Sequence, residues 1–319
     1  MRIAPADLPE DLVFRQVRAA WGFDIHRVEH LPWGFGAWHW GAEDSGGIRR
    51  WFITADRLES ADRLAELERV YAIARGLSET HPVVACLPNR SGHMCWRTGE
   101  FALSVTSWTD GSRPGGDSLD SDTAVSTARF LADLHAVPIP PGLPVWDPNY
   151  PSHRVLDDLP DLVASRWDGG PYGEEVRALV RTHLDDLTNW RQRYAKCADH
   201  AMAHRNEWVL THGEPGPHNQ LLTSKGRRWV DWESARTAPR ERDLMDLASR
   251  TDQRRQRFYP HALDPINQEL FDLAWRLDEI GQYTDRFRDS HAGTADDRIA
   301  LDGLRQEFTR PDRRIDSRD

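Results

Sequence analysis

The sequence predicts a two-lobed α+β protein, with a small antiparallel sheet and one main helix in the first lobe and a larger, mostly helical second lobe. Three observations predict it. Short apolar runs separated by glycine turns fill residues 26–108. Apolar positions at helical spacing dominate from residue 122 onward. Between them lies Asp110-Gly111-Ser112-Arg113-Pro114-Gly115-Gly116, the clearest break in composition. A chain of 319 residues has room for such a division. We expect lobes over 1–105 and 106–308 and a solvated Arg/Asp-rich tail over 309–319.

Leu12, Val13, Val17, Ala20 and Trp21 recur at helical spacing between Glu10 and Phe23, and Gly22 closes that segment. Next, His26–Leu31 reads as a strand, Pro32-Trp33-Gly34-Phe35-Gly36 as a glycine turn and Ala37–Gly41 as a second strand. Gly46-Gly47 makes the hairpin into a third strand, Ile48–Ala55. Ser60 is positioned to cap a helix over Ala61–Leu77, where Leu64, Leu67, Val70, Tyr71 and Ala74 form one stripe. Val83–Leu87 and Phe101–Trp108 read as two further strands, joined through Ser91-Gly92. Beyond the break, helices are predicted over Asp122–His135, Arg154–Ala164, Gly173–His200 and Asp264–Phe287, with a proline-rich connection around residues 138–148. Strand-like Trp208–Thr211, Gln220–Thr223 and Arg228–Asp231 lie between the last two helices.

The charges, 41 basic against 51 acidic, sum to −10, which disfavours a general nucleic-acid or anionic-membrane partner and suits a cationic small molecule. No apolar run approaches a membrane span and the first residues lack the apolar core of a signal peptide, so we expect a cytoplasmic protein. Cys86, Cys95 and Cys197 show no CxxC spacing and read as free thiols. Of the 41 basic residues only Lys196 and Lys225 are lysines, which leaves the whole first lobe without one. Of the 14 tryptophans, Trp33, Trp38, Trp40 and Trp51 are concentrated in that lobe, either as sheet packing or as an aromatic platform.

The segment that carries chemistry is Leu210-Thr211-His212-Gly213-Glu214-Pro215-Gly216-Pro217-His218-Asn219-Gln220-Leu221-Leu222, followed by the turn Ser224-Lys225-Gly226 and by Trp229-Val230-Asp231-Trp232-Glu233. An acid two residues after a histidine, an asparagine five after the acid, and an aspartate returned by a hairpin have the spacing of a kinase catalytic loop. That chemistry needs a carboxylate beside the attacking hydroxyl. It also needs a carboxylate and an amide oxygen to hold Mg²⁺ against nucleotide phosphates. Glu214, Asp231 and Asn219 are the residues of those types. The bland alternative is a polar turn between two strands.

With these residues in view, the chain resembles the aminoglycoside phosphotransferase family, which shares the protein-kinase-like fold with choline kinases. Over about residues 10–290 it is similar in layout to the spectinomycin phosphotransferases. Further landmarks are Phe23-Asp24-Ile25-His26, the glycine turn, Leu131 to His135, and Ala238-Pro239-Arg240-Glu241-Arg242-Asp243-Leu244-Met245. The resemblance implies a bilobal kinase-like α+β fold and ATP or GTP with Mg²⁺ as cofactors. It implies Glu214 as base with His212 in the catalytic loop, and Asn219 and Asp231 as metal ligands. Asp243 would be a structural acid. Val105 to Trp108, with Ser107, would meet the adenine. The turn at Gly34 and Gly36 either lets backbone N–H groups approach phosphate or is a plain hairpin turn.

Three departures mark this chain. Glu214 stands where the family usually has Asp, one methylene longer. Gly216 and His218 exchange the family's order of His and Gly around the asparagine. Most seriously, Thr54 occupies the third-strand position of the lysine that binds the α- and β-phosphates and pairs with a helix glutamate. Arg50, on the face shared with Thr54, is one substitute; Arg49, Arg57 and His39 are others nearby, and Glu66 or Glu68 would be the helix partner. The expected activity is phosphoryl transfer from a nucleotide to a hydroxyl of a small, aminoglycoside-like molecule, antibiotic resistance being the analogy. The alternative is a kinase-like ligand-binding protein impaired by the loss of the lysine.

Overall fold

The computed structural model describes residues 4–34, 36–114, 121–149, 152–245, 247 and 259–311. Phe35, Gly115, Gly116 and residues 312–319 of the expected tail lie outside them. The chain forms two compact units, Met1–Val145 with Val209–Thr237 and Trp146–Trp208 with Ala238–Asp319. The first therefore takes in the catalytic loop together with the sheet.

In the first unit, helix α1 (Glu10–Trp21) buries Val13, Val17, Ala20 and Trp21 and ends where Gly22 turns left-handed at φ 72°. Strands β1 (Ile25–Leu31), β2 (Trp38–Asp44) and β3 (Arg49–Arg57) precede helix α2 (Arg63–Leu77). Strands β4 (Cys95–Thr98) and β5 (Phe101–Ser107) complete an antiparallel sheet in the order β1-β2-β3-β5-β4. Alternation divides the sheet's faces: Trp40, Ile53, Ala55, Leu103 and Val105 pack with α1 residues in one core, and Phe52, Thr54 and Asp56 project from the other face. Beyond the sheet comes helix α3 (Ser121–His135).

Two first-lobe expectations are corrected. Val83–Leu87 is not a strand of the sheet but a crossing segment, because its amides go to separate places: Val84 N–H to the Trp229 carbonyl and Leu87 N–H to the Val105 carbonyl. The edge strand is instead Cys95–Thr98, set between Gly92 and Gly99. Helix α2 starts at Arg63 with Asp62 before it, and Ser60 makes no side-chain cap.

The second unit is helical: α4 (His153–Asp157), α5 (Leu159–Leu162), α6 (Gly173–Thr182) and α7 (Leu184–Ala203). The single helix expected over 173–200 is broken at His183, and the one over 154–164 at Asp158, just before Pro160. The chain then returns to the first unit for β6 (Val209–Thr211), β7 (Gln220–Thr223), β8 (Gly226–Trp229) and all but the last residue of β9 (Arg236–Ala238). Back in the second unit, α8 (Pro265–Arg288) packs along α7, and α9 (Ala295–Thr309) follows a Thr294/Asp297 capping box. Trp146, Trp167, Trp190, Leu270, Leu277 and Phe287 centre this unit's core. Arg310, just past α9, pairs with Asp272 of α8 and so is folded back against it. The three cysteines are free and buried. No helix among the described residues is long and apolar enough to cross a membrane.

Candidate active site

Strand β6 delivers the chain to His212, which is fully buried and bound at both ring nitrogens. Its Nε2 lies 3.0 Å from the Val230 carbonyl and its Nδ1 3.3 Å from the Glu214 amide, a pair of contacts that calls for the Nε2–H tautomer. The Asn219 Nδ2 donates to the Glu214 carbonyl at 3.0 Å, and Gln220 Nε2 to that of Pro215 at 2.7 Å. The β7–β8 hairpin then brings the chain back, and the Val230 amide donates to the Asn219 carbonyl at 3.0 Å. These bonds hold His212, Glu214, Asn219 and Asp231 in one braced turn. With Asn219 Nδ2 occupied, its Oδ1 is the atom left for a cation. Sealed from solvent, His212 acts by positioning this loop.

Asp231 carries φ 66°, the only positive φ of a non-glycine residue among those described. A left-handed residue costs about 1–2 kcal/mol, least for Asp and Asn, and such strain gathers at functional sites. Its carboxyl is reachable by water yet deep among protein atoms, and burial, with Glu233 and Glu214 nearby, pushes its pKa up to about 7. A carboxylate so placed is short of positive charge, which fits a divalent cation. No cage of three or more His, Cys, Asp or Glu side chains forms among the described residues. Mg²⁺ is ordinarily held by one or two protein carboxylates, with phosphate and water supplying the rest.

Behind Asp231 lies a charge network that the sequence reading missed. Arg63 Nη1 donates to Glu66 at 2.7 Å and its Nη2 to Glu233 at 3.2 Å. Arg236 also pairs with Glu66, and it donates to the carbonyls of Glu233 at 3.1 Å and Ala235 at 2.8 Å. Asp56, buried on β3, accepts from Tyr71 Oη at 3.2 Å; burial, with the negative charge of Glu233 nearby, raises its pKa well above the usual carboxylate range. Glu66 is thus the α2 acid tied to the Asp231 loop. Glu68 instead accepts from the amides of Met94 and Cys95, fixing β4. The Arg63-x-x-Glu66 spacing was the available signal, though nothing local announces Glu233 as the third member.

On the sheet's open face, Thr54 Oγ1 lies 3.3 Å from His39 Nδ1. Burial, aided by nearby positive charge including that of Arg113, pushes the His39 pKa down to about 4, so the ring is neutral at pH 7 and offers no cation. Gly34 and Gly36 both take positive φ, 72° and 84°, and a Cβ on Gly34 would stand 3.1 Å from His39 Nε2, so the turn lies against that ring. Arg50 is turned to Asp44, 2.8 Å away, and half exposed. Val105 is buried in the α1 core and its carbonyl is taken by Leu87, whereas Ser107 is exposed at the end of β5. The structure therefore brings Gly34 and Thr54 together through His39, and it brings neither Arg50 nor the Val105 side chain to them. Trp33, Phe52 and Trp108 cluster on this face with ring centroids 6.1–6.5 Å apart. Trp38 and Trp40 pack in the core.

Residues 32–279 match the model of the phosphotransferase enzyme family. The chain belongs to that family. Among curated relatives it is 31% identical over 254 residues to protein StrN of Streptomyces griseus, covering 76% of each chain. Its fold is similar to that of spectinomycin phosphotransferase APH(9)-Ia in complex with ADP and spectinomycin, with TM-score 0.73 at 13% identity and 94% of each chain covered. It is also similar to amicoumacin kinase hAmiN in complex with AMP-PNP, Ca²⁺ and Ami, with TM-score 0.60 at 11% identity, covering 95% of this chain and 94% of that one. The kinase-like α+β fold expected from the sequence is thus the fold of this family member.

Proposed function

We propose that this phosphotransferase moves the γ-phosphoryl group of ATP or GTP to a hydroxyl of a small, cationic, aminoglycoside-like molecule. The observation that carries the reading is the braced turn that sets Glu214, Asn219 and a left-handed Asp231 together. The nucleotides and antibiotics bound by the structural neighbours support it, as does the net charge of −10. Glu214, half exposed, takes the proton as the acceptor oxygen bonds to the γ-phosphorus and the bond to the β–γ bridging oxygen breaks. Its extra methylene relative to Asp reaches about 1–1.5 Å further, so the acceptor sits correspondingly farther from the loop. His218 Nε2 lies 3.7 Å from Glu214 Oε2 and in its protonated form steadies the carboxylate. Asn219 Oδ1 and Asp231 would hold a divalent cation, which screens phosphate charge when bound.

The test is incubation with ATP or GTP, Mg²⁺ and a panel of hydroxyl-bearing cationic compounds, read as nucleoside diphosphate released and phosphorylated acceptor by mass spectrometry. Transfer that disappears in Glu214→Ala supports the reading. Nucleotide binding without transfer to any acceptor favours the second reading, a kinase-like binding protein, for which Thr54 in the lysine's place is the specific observation.

A further inference from the structure

The open face of the sheet needs a cation to meet phosphate, and the arginines closest in sequence are committed to carboxylates. Arg49 pairs with Glu29 and Glu43, Arg50 with Asp44, Arg57 with Glu100, and Arg63 with Glu66 and Glu233. His39 is neutral. Arg113 differs from all of these: it is exposed and has no carboxylate bonded to it among the described residues.

Its backbone is anchored. The neighbouring Ser112 donates its N–H to the Leu222 carbonyl at 3.1 Å and accepts from the Leu222 amide at 2.7 Å. Gly111 lies so close to the same strand that a Cβ there would stand 2.9 Å from the Leu222 carbonyl. Arg113 is therefore clamped to the hairpin that runs from Asn219 to Asp231. Its positive charge also acts on His39, the ring that touches Thr54 and lies against the glycine turn. A phosphate chain held between that turn and the hairpin would pass beside the segment that carries Arg113.

We propose that Arg113 is the phosphate-anchoring cation of this protein, supplying from the segment after β5 the charge that Thr54 cannot supply from β3. The proposal rests on the nucleotide-dependent reading above. A guanidinium offers two parallel N–H donors to phosphate oxygens where a lysine offers one point charge, so a different approach direction serves the same task.

The experiment is calorimetric titration of the full chain with Mg²⁺-ATP, Mg²⁺-GTP and the bare nucleosides, for wild type, Arg113→Gln, Arg113→Lys and the control Arg97→Ala on β4. Arg113→Gln should weaken triphosphate binding about 10- to 100-fold, the worth of a charge-assisted contact, and leave nucleoside binding unchanged. Arg113→Lys should fall between, and Arg97→Ala should match wild type. The salt dependence of triphosphate affinity should be shallower in Arg113→Gln than in wild type. Triphosphate affinity in Arg113→Gln within about twofold of wild type overturns the assignment and leaves the phosphotransferase reading standing. A wild-type chain that binds neither triphosphate overturns both.

Discussion

Removal of Glu66 isolates the contribution of the network behind Asp231. Glu66→Ala deletes two guanidinium–carboxylate hydrogen bonds, to Arg63 and to Arg236, between side chains 18–28% exposed. Each such bond is worth about 1.5–3 kcal/mol when well desolvated. Three effects reduce that sum. Arg63 keeps Glu233, Arg236 keeps two backbone carbonyls, and deletion relieves repulsion in a cluster that also holds Asp56, Glu233 and Asp231. With partial solvent screening the net cost is about 2 kcal/mol, or roughly 4–8 °C in Tm for a unit of this size. Thermal and urea unfolding, repeated at high salt, measures it, and a double-mutant cycle with Arg236→Met should return a coupling of about 1 kcal/mol. Nucleotide affinity should weaken as well, because the network holds the loop after Asp231. A loss below about 0.5 kcal/mol, with no coupling, would mean an ordinary surface ion pair and refute the reasoning.

Glu214→Ala should lower the transfer rate about 10²- to 10⁴-fold and leave nucleotide affinity intact; steady-state kinetics beside calorimetry checks this, and a near-wild-type rate removes Glu214 as base. Asp231 has a folded pKa of about 7, above its ordinary 3.8, so its contribution to the stability of the unliganded chain is complete below pH 4 and is lost as pH rises through 7. Water access makes the slope shallower than that shift implies. Unfolding from pH 5 to 8 should show the decline, and Asp231→Asn should remove it; over the same range Mg²⁺-nucleotide affinity should rise as the carboxyl ionises, and a flat wild-type profile would contradict the assignment. Gly36→Ala meets no atom within 4 Å, so its whole effect is the backbone cost of φ 84°, about 1 kcal/mol. Thermal unfolding reads it, and Gly36→Asn should be milder.

The catalytic loop was legible because its defining residues lie within a few positions of one another, and the β7–β8 turn that returns Asp231 carries its own signal in Ser224-Lys225-Gly226. The hairpins of the sheet were legible through Gly34, Gly36, Gly46 and Gly47 for the same local reason. Val83–Leu87 misled because an apolar run says nothing about its partner, and its amides serve two different elements. Helix α9 did carry a local signal, Thr294 three residues before Asp297, that the reading passed over. Arg63 and Glu233 could not be joined from sequence, since 170 positions separate them and each is an unremarkable charged residue in its own segment.

That long-range pairing changes what the missing lysine means. In the kinase template one lysine does two things: it meets phosphate, and through the helix glutamate it ties the helix to the site. The second task does not depend on position 54 here, because Arg63 links Glu66 to Glu233 from the helix itself and Arg236 reaches Glu66 from the loop after Asp231. Only the phosphate contact is left to be supplied, and a residue clamped to the β7–β8 hairpin can supply it without touching β3. Thr54 is then free to do what it does in the structure, bonding a neutral His39 against the glycine turn. Arg113→Gln and Glu66→Ala separate the two tasks: the first should weaken triphosphate binding at unchanged stability, whereas the second should lower stability first and nucleotide affinity as its consequence.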